Sequence, residues 1–451
     1  MKKNIIFTIS KHYLLNNSRL SYFLIILFTP LITGVIRKII PGQPSYIEVL
    51  AVIPIIFFII KFKIFSKKWP IKIIPAFLFY WIFIQVIFAF ISVPSDWKVG
   101  GISIFTRIIP VLMAWVSFFA INSEEDYVRF SKWFVSISII LLPIGIIAAI
   151  FGNAFLPLWL RPINSIVDAG RDFRSGVQSI SLLFSSQWIL GVSILPIIFI
   201  SSSNIMLAFE TKKKTTYWWL AIISSLILLY LSTRRVMFLV GIVGFIFVIL
   251  FMIKKVQKKL PQILFVLLIL LLIIVFLDKN GLILGKEISS RTEWVFYYDD
   301  ISIIKRIENV FLPIMSNWLN LTPLGNYLGF AGPEARAVGS LEYKAYSEIV
   351  EIGAALLVAE MGLFGLIIFI LMNLFIIFFI WFYGRKTKYK SPIYLLLLYF
   401  VSYQIIFLSK ELLDLTNISI GQFMFWSIPG LATSLIRISS ILPKKIVVEN
   451  K

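Results

Sequence analysis

Long runs of apolar residues, repeated along the whole chain, constrain what it can fold into more than any other feature. A helix needs about 20 apolar residues to cross the hydrocarbon core of a bilayer. Segments of this kind recur at 20–36, 46–60, 73–93, 103–121, 130–152, 178–201, 216–232, 236–253, 261–277, 354–383, 392–409 and 418–436. Composition agrees: 59% of the 451 residues are hydrophobic and 14% are charged, against about 45–50% and about 25% in soluble domains. Too few polar residues remain to cover a soluble fold. The expected fold is an all-α polytopic membrane protein of about 12 transmembrane helices. Soluble domains, disordered chains and ordinary nucleic-acid binders are excluded.

Sidedness follows from where short loops collect lysine and arginine. Lys61, Lys63, Lys67, Lys68 and Lys72 follow span two, and Lys212, Lys213 and Lys214 follow span six. Lys254, Lys255, Lys258 and Lys259 follow span eight, and Arg385, Lys386, Lys388 and Lys390 follow span ten. The gap after span four is the weak one, with only Arg129 and Lys132 beside the acidic stretch 122–126. This pattern predicts that both termini face the cytoplasm. It divides the chain into spans one to nine (1–277), one large outer loop (278–353), and spans ten to twelve with a cytoplasmic tail (354–451). No internal repeat is visible, and no inverted pair of broken helices of the kind found in secondary transporters.

The net charge is +21. The basic loops account for part of it, while a second group of arginines lies on the opposite, outer side. Arg234 and Arg235 sit in the turn between spans seven and eight. Arg161, Arg171 and Arg174 lie in the loop before span six, Arg291 lies beside Glu293 and Trp294 in the large loop, and Arg336 follows. Interfacial arginines can serve as snorkelling anchors, and Asp168 and Asp172 can pair with their neighbours. A set gathered on the face where the positive-inside rule does not call for it also suits a polyanion, because the guanidinium fork matches phosphate oxygens in a bidentate way.

Glu348 and Glu351 precede span ten, three residues apart. A carboxylate there is either a helix N-terminal charge favoured by the macrodipole or a general base. Trp294, Tyr297 and Tyr298 can stack on sugar rings. Arg107 and Glu360 are the main charges inside apolar spans. With no cysteine and His12 as the single histidine, thiolate chemistry, cysteine–metal sites and histidine triads are excluded. No metal and no cofactor is expected.

Four stretches, taken in order, resemble the O-antigen ligase and polymerase superfamily of bacterial membrane glycosyltransferases: Arg174–Val177 (RSGV), Ser232–Arg235 (STRR), Ser290–Trp294 (SRTEW) followed by Pro323–Gly329 (PLGNYLG), and 350–369 (VEIGAALLVAEMGLFGLIIF). The resemblance covers about residues 170–385. It implies a GT-C-like fold in the bacterial inner membrane whose active site faces the periplasm. It also implies a metal-independent transfer of glycans carried on undecaprenyl diphosphate, with Arg234 and Arg291 facing the diphosphate and Glu351 as base. Arg235, Arg161, Arg171, Arg174, Arg336, Glu348, Trp294 and Tyr298 are then candidate substrate contacts. The implied partners are the lipid-linked oligosaccharide, membrane lipid, a chain-length regulator protein and a flippase; nucleic acid is not one. Ligases of the superfamily tend to carry a histidine where this chain has Glu351, which favours the repeat-unit polymerase over the ligase. A flippase for the same lipid-linked glycan is the reading from another class, and it predicts charges buried within spans.

Overall fold

A computed structural model describes residues 2–39, 50–91, 93–151, 156–160, 173–174, 177–178, 180, 182–184, 187–232, 235–256, 325–326, 328, 353–409 and 419–446. The ninth expected span and nearly all of 278–353 lie outside the described residues. Within them the architecture is helical: α1 (Lys2–Ile39), α2 (Ile53–Phe62), α3 (Ile73–Ile91), α4 (Val93–Ser103), a π-helical turn (Ile104–Ile108), α5 (Ile109–Val111), α6 (Met113–Ala120) and α7 (Glu124–Phe151). There follow α8 (Gln187–Glu210), α9 (Thr216–Leu231), α10 (Arg235–Val256), α11 (Gly353–Gly384), α12 (Lys390–Ser409) and α13 (Ile420–Ile446). A two-residue antiparallel ladder pairs β1 (Phe173–Arg174) with β2 (Val177–Gln178).

Among the described residues, seven helices are long and apolar enough to cross a membrane: Ser18–Ile36, Ile73–Ile91, Trp97–Ala120, Glu124–Ala149, Ile189–Phe209, Leu356–Gly384 and Lys390–Phe407. Shorter apolar helices span Leu50–Phe62, Thr216–Leu231 and Met237–Ile246. Backbone groups in hydrocarbon have no water to bond, so a spanning segment must satisfy them internally, and the helix does so. Many large apolar side chains face outward, among them Phe57 at 65% exposure, Ile60 at 70% and Phe90 at 65%. Such surfaces are stable against lipid and not against water. The chain is a helical, multi-pass membrane protein.

The helices form two compact units. The first comprises 1–33, 43–133 and 301–451. Its centre is the pairing of α6 with α13. All eight residues of α6 are buried. A Cβ on Gly430 would stand 2.0 Å from the Ala114 carbonyl oxygen and 2.2 Å from Ser117 Oγ. Ser117 Oγ donates to the Ser427 carbonyl at 2.9 Å, and Ser434 Oγ donates to the Phe118 carbonyl at 3.2 Å. Small residues that let backbones approach, with hydroxyls bonded across, are how helices associate where lipid removes the hydrophobic drive. Around this pair, α11 packs on α3 and α12. Phe77 stacks on Phe375 at 5.4 Å, and Phe400 stacks on Phe425 at 4.5 Å.

The second unit comprises 34–42 and 134–300. Here α8 is central, packing on α9 and α10. Gly241 and Gly244 admit Ile198 and the Phe199 ring, whose atoms would stand 2.8 and 2.7 Å from added Cβ atoms.

The helix expected at 178–201 is displaced: α8 begins at Gln187 and continues to Glu210. The run Ser201-Ser202-Ser203-Asn204 does not end it, because its polar groups turn back onto the helix. Ser202 Oγ donates to the Ile198 carbonyl at 2.6 Å, and the Asn204 amide donates to the Ile200 carbonyl at 2.8 Å. Hydropathy counts these residues as polar, whereas in the fold Ser202 and the Asn204 amide nitrogen spend their donors on the helix itself.

Candidate functional site

Inside the first unit, two helices lose regular geometry at places that touch. The first interruption follows from Pro110. A proline has no N–H to offer the carbonyl four residues back and its ring crowds that carbonyl. The carbonyl in question belongs to Thr106. The chain widens there into the π-helical turn Ile104–Ile108, and the Ile109 N–H reaches back to the Ile104 carbonyl. The Thr106 carbonyl is taken instead by the Gln422 side-chain amide of α13, at 2.7 Å.

The second interruption is at Gly362, whose φ of 68° and ψ of −178° break α11 internally. This is backbone that only glycine adopts readily. The Ala359 carbonyl, released by the break, accepts two hydrogen bonds from Asn326, one from its backbone N–H and one from its side-chain amide, each 3.1 Å. Each break is thus repaired by an amide group from elsewhere in the chain, as non-helical backbone inside a membrane protein requires.

Asn326 belongs to the stretch Pro323–Gly329. Its neighbour Gly325 has φ +74°, and a Cβ there would stand 2.4 Å from the Gly362 nitrogen and 2.6 Å from the Glu360 carbonyl oxygen. Two residues on, the Leu328 N–H donates to the Phe88 carbonyl at 3.2 Å, and Ser103 Oγ donates to the Leu328 carbonyl at 3.3 Å. The segment is therefore fastened to α3, α4 and α11 together.

Between these breaks lies an ion pair. Arg107, from the π-helical turn, donates through Nη2 to Glu360 Oε1 at 2.9 Å and through Nη1 to Oε2. Arg107 is 5% exposed and Glu360 0%. The parallel fork is the strong geometry for an arginine–carboxylate pair. Both charges are desolvated, so each depends on the other. As it stands the pair is neutral. With both carboxylate oxygens engaged, Glu360 is not a free base, and with two nitrogens engaged Arg107 offers little to an anion until the fork opens.

Most of the residues that sequence reasoning singles out lie outside the described residues: Glu348, Glu351, Arg161, Arg171, Arg234, Arg291, Trp294, Tyr298 and Arg336. Two are placed by their backbone alone, Arg174 ending β1 and Arg235 opening α10. An arginine at a helix N-terminus gains nothing from the helix dipole. Among the described residues no cluster of three or more His, Asp or Glu residues has the arrangement of a metal site. Arg107 and Glu360 are recognisable in the sequence as charges inside apolar spans. What the sequence hides is that they meet, and that the two helices carrying them are interrupted. The signals for the breaks are Pro110 and the glycines of 362–365, which read as ordinary apolar sequence until Gln422 and Asn326 are brought beside them. No family model, curated protein or solved structure matches the chain.

Proposed function

We propose that the chain is a bacterial inner-membrane glycosyltransferase that polymerises oligosaccharide repeat units carried on undecaprenyl diphosphate. It has twelve spans in a GT-C-like arrangement, both termini in the cytoplasm, and the loop 278–353 in the periplasm. One observation supports this reading above others: the Gly325–Leu328 segment is docked on the break in α11 beside the Arg107–Glu360 pair. Two stretches that carry the resemblance, Pro323–Gly329 and 350–369, therefore meet. Glu351 stands two residues ahead of Gly353, where α11 begins.

In the proposed reaction the hydroxyl oxygen of one repeat unit attacks the anomeric carbon of another. The C1–O bond to phosphate breaks, Glu351 takes the hydroxyl proton, and undecaprenyl diphosphate leaves with the electron pair. The activated donor needs no nucleotide. The demand is electrostatic, because charge builds on the diphosphate in a medium of low dielectric. Arg234 and Arg291 stabilise that charge more in the transition state than in the ground state. Arg235, Arg161, Arg171, Arg174 and Arg336 hold the remaining phosphate and sugar oxygens, and Glu348, Trp294 and Tyr298 position the glycan. Arg107 and Glu360 are positioning residues, fixing the break in α11 downstream of the base.

The test is incubation of purified protein with lipid-diphosphate oligosaccharide and inspection of the product ladder. Arg234→Ala and Arg291→Ala, separately, are expected to insert normally and to slow elongation about 10²–10³-fold; Glu351→Gln slows it comparably. Wild-type ladders from both arginine variants would overturn the diphosphate role. The buried Arg107–Glu360 pair also favours a second reading, a flippase for the same lipid-linked glycan, since such a carrier needs charge within its spans. Flipping in liposomes with no change in product length would select it.

A further inference from the structure

Three cations meet where α6 ends, on the face that the lysine pattern assigns to the cytoplasm. Lys67, in the turn between α2 and α3, donates to Oδ1 of Asn122 at 2.5 Å. Arg437 of α13 donates through Nη2 to the same oxygen at 3.4 Å, and also to the Ile121 carbonyl. Arg19 of α1 holds its guanidinium 4.4 Å from the centre of the Phe119 ring, and the Lys67 ammonium lies 5.0 Å from that ring. Phe118 is shared in the same way, by Arg437 at 4.6 Å and Lys67 at 5.3 Å. One ammonium and two guanidinium groups therefore gather over two neighbouring rings and one amide oxygen.

The carboxylate that acts on Lys67 and Arg437 is Asp126. Asp126 Oδ2 accepts the backbone N–H groups of Asn122 and Ser123, each at 3.1 Å, while Ser123 Oγ accepts the Asp126 N–H at 3.1 Å. This reciprocal cap starts α7. Asp126 still acts through its charge on Lys67 and Arg437, but one carboxylate offsets only one of three cations. Two buried nitrogens, Arg437 Nη1 and Arg19 Nε, have no hydrogen-bond partner. The lysine records the same imbalance: its ammonium is driven down to about 7, first by burial, then by Arg437 and Arg19, with Asp126 opposing. An excess of donors and positive charge over an apolar floor calls for an oxyanion with several acceptor oxygens.

We infer that Arg19, Lys67 and Arg437 form a binding site for a phosphate group. The two guanidinium groups supply the forks and Lys67 the point charge. Phe62, whose ring Arg19 approaches to 5.8 Å, and Lys61, which donates to Tyr22 Oη at 2.8 Å, extend the site toward its exposed edge. The phosphate comes either from the headgroup of an anionic membrane lipid or from free solution. The site is independent of the glycosyltransferase reading and stands or falls without it.

The full chain is tested in nanodiscs of phosphatidylcholine, of phosphatidylcholine with phosphatidylglycerol, and of phosphatidylcholine with added inorganic phosphate. The thermal midpoint and the ligand retained in native mass spectrometry are read together. Wild type is expected to gain stability and retain ligand in at least one of the last two conditions. Phosphatidylglycerol alone identifies a lipid headgroup; inorganic phosphate alone identifies a soluble anion. Lys67→Gln and Arg437→Gln each raise the half-saturating concentration about tenfold or more, while Lys386→Gln, on an exposed turn elsewhere, leaves it unchanged. Phosphatidylglycerol, whose phosphodiester keeps one charge across the range, binds more weakly at pH 9 than at pH 7, because Lys67 must take up a proton. Should Arg437→Gln fail to fold, Lys67→Gln and the pH arm carry the decision. No stabilisation in either condition, or equal stabilisation of wild type and both variants, overturns the inference.

Discussion

Arg107 and Glu360, 253 residues apart in the chain, are joined by two parallel hydrogen bonds where both of their helices depart from regular geometry. A pair so fully desolvated is costly to form and more costly to break, since either partner alone is an uncompensated charge among apolar helices.

The first prediction follows. Arg107→Met and Glu360→Met each destabilise the protein by about 3–5 kcal/mol, whereas the double variant Arg107→Met with Glu360→Met regains most of the loss. The measurement is thermal unfolding in one detergent, arranged as a double-mutant cycle. Strictly additive losses would show that the two side chains do not depend on each other. A double variant that is stable but makes no glycan ladder would assign the pair to function as well as to folding.

Gly325 gives a second prediction, because two separate constraints exclude a side chain there. Its φ of +74° is unfavourable for any residue with a Cβ, and that Cβ would lie within 2.6 Å of the backbone of Glu360 and Gly362. Gly325→Ala is therefore expected to release the segment from α11 while insertion persists and, on the proposed polymerase reading, to lose elongation. Gly101→Ala is the control: nothing lies within 4 Å of the added carbon, and alanine in a helix is favoured by about 0.5–1 kcal/mol. Limited proteolysis after residue 320 reads the release directly. Equal protection in the two variants would refute the docking role.

How much of this is legible in the sequence depends on the kind of interaction. Helices such as α3 and α11 are visible because nearly every residue is apolar, so length alone defines them. The start of α8 is not visible, since the turn Leu182–Phe184 is as apolar as the helix that follows. The arginine–carboxylate pair is half legible: Arg107 and Glu360 stand out as charges in apolar spans, but no local pattern connects positions so far apart. The breaks are the least legible, because what makes them tolerable is Gln422 for one and Asn326 for the other, each remote in sequence. The Arg19–Lys67–Arg437 cluster is hidden for a similar reason. Each of its members looks like an ordinary cation of the basic face, and only packing reveals that they share two rings.

The contact between α6 and α13 carries a third prediction. Gly430→Ala drives a methyl group into the Ala114 carbonyl and Ser117 Oγ. The Ser117 hydroxyl can rotate but the Ala114 carbonyl and the Phe118 nitrogen are backbone, so the helices must separate at a cost of about 1–3 kcal/mol or more. The chain has no cysteine, so Ser117→Cys with Ser427→Cys reports the separation without background: oxidation joins the pair in the parent protein. Adding Gly430→Ala is expected to lower both the crosslinking yield and the thermal midpoint. Unchanged crosslinking would mean that the two helices do not meet at Gly430.

Lys67 sets the last prediction. Its ammonium titrates at about 7 in the fold, against 10.5 for the free side chain, chiefly through burial and then through Arg437 and Arg19. Between those two values the unfolded chain binds the proton and the folded one does not, so stability rises with pH across that window. Below about 7 both states are protonated and the folded state carries the full penalty of a buried, repelled cation. For one group the slope reaches at most about 1.4 kcal/mol per pH unit. Other groups titrate in the same range, so the informative quantity is the difference between wild type and Lys67→Met. That variant is expected to be the more stable of the two at pH 7 in ligand-free detergent, with the gap closing toward pH 10. Saturating the site with a phosphate ligand reverses the order at pH 7, because the anion restores the lysine's preference for its proton. A gap that ignores both pH and phosphate would place Lys67 in solvent and remove it from the cluster.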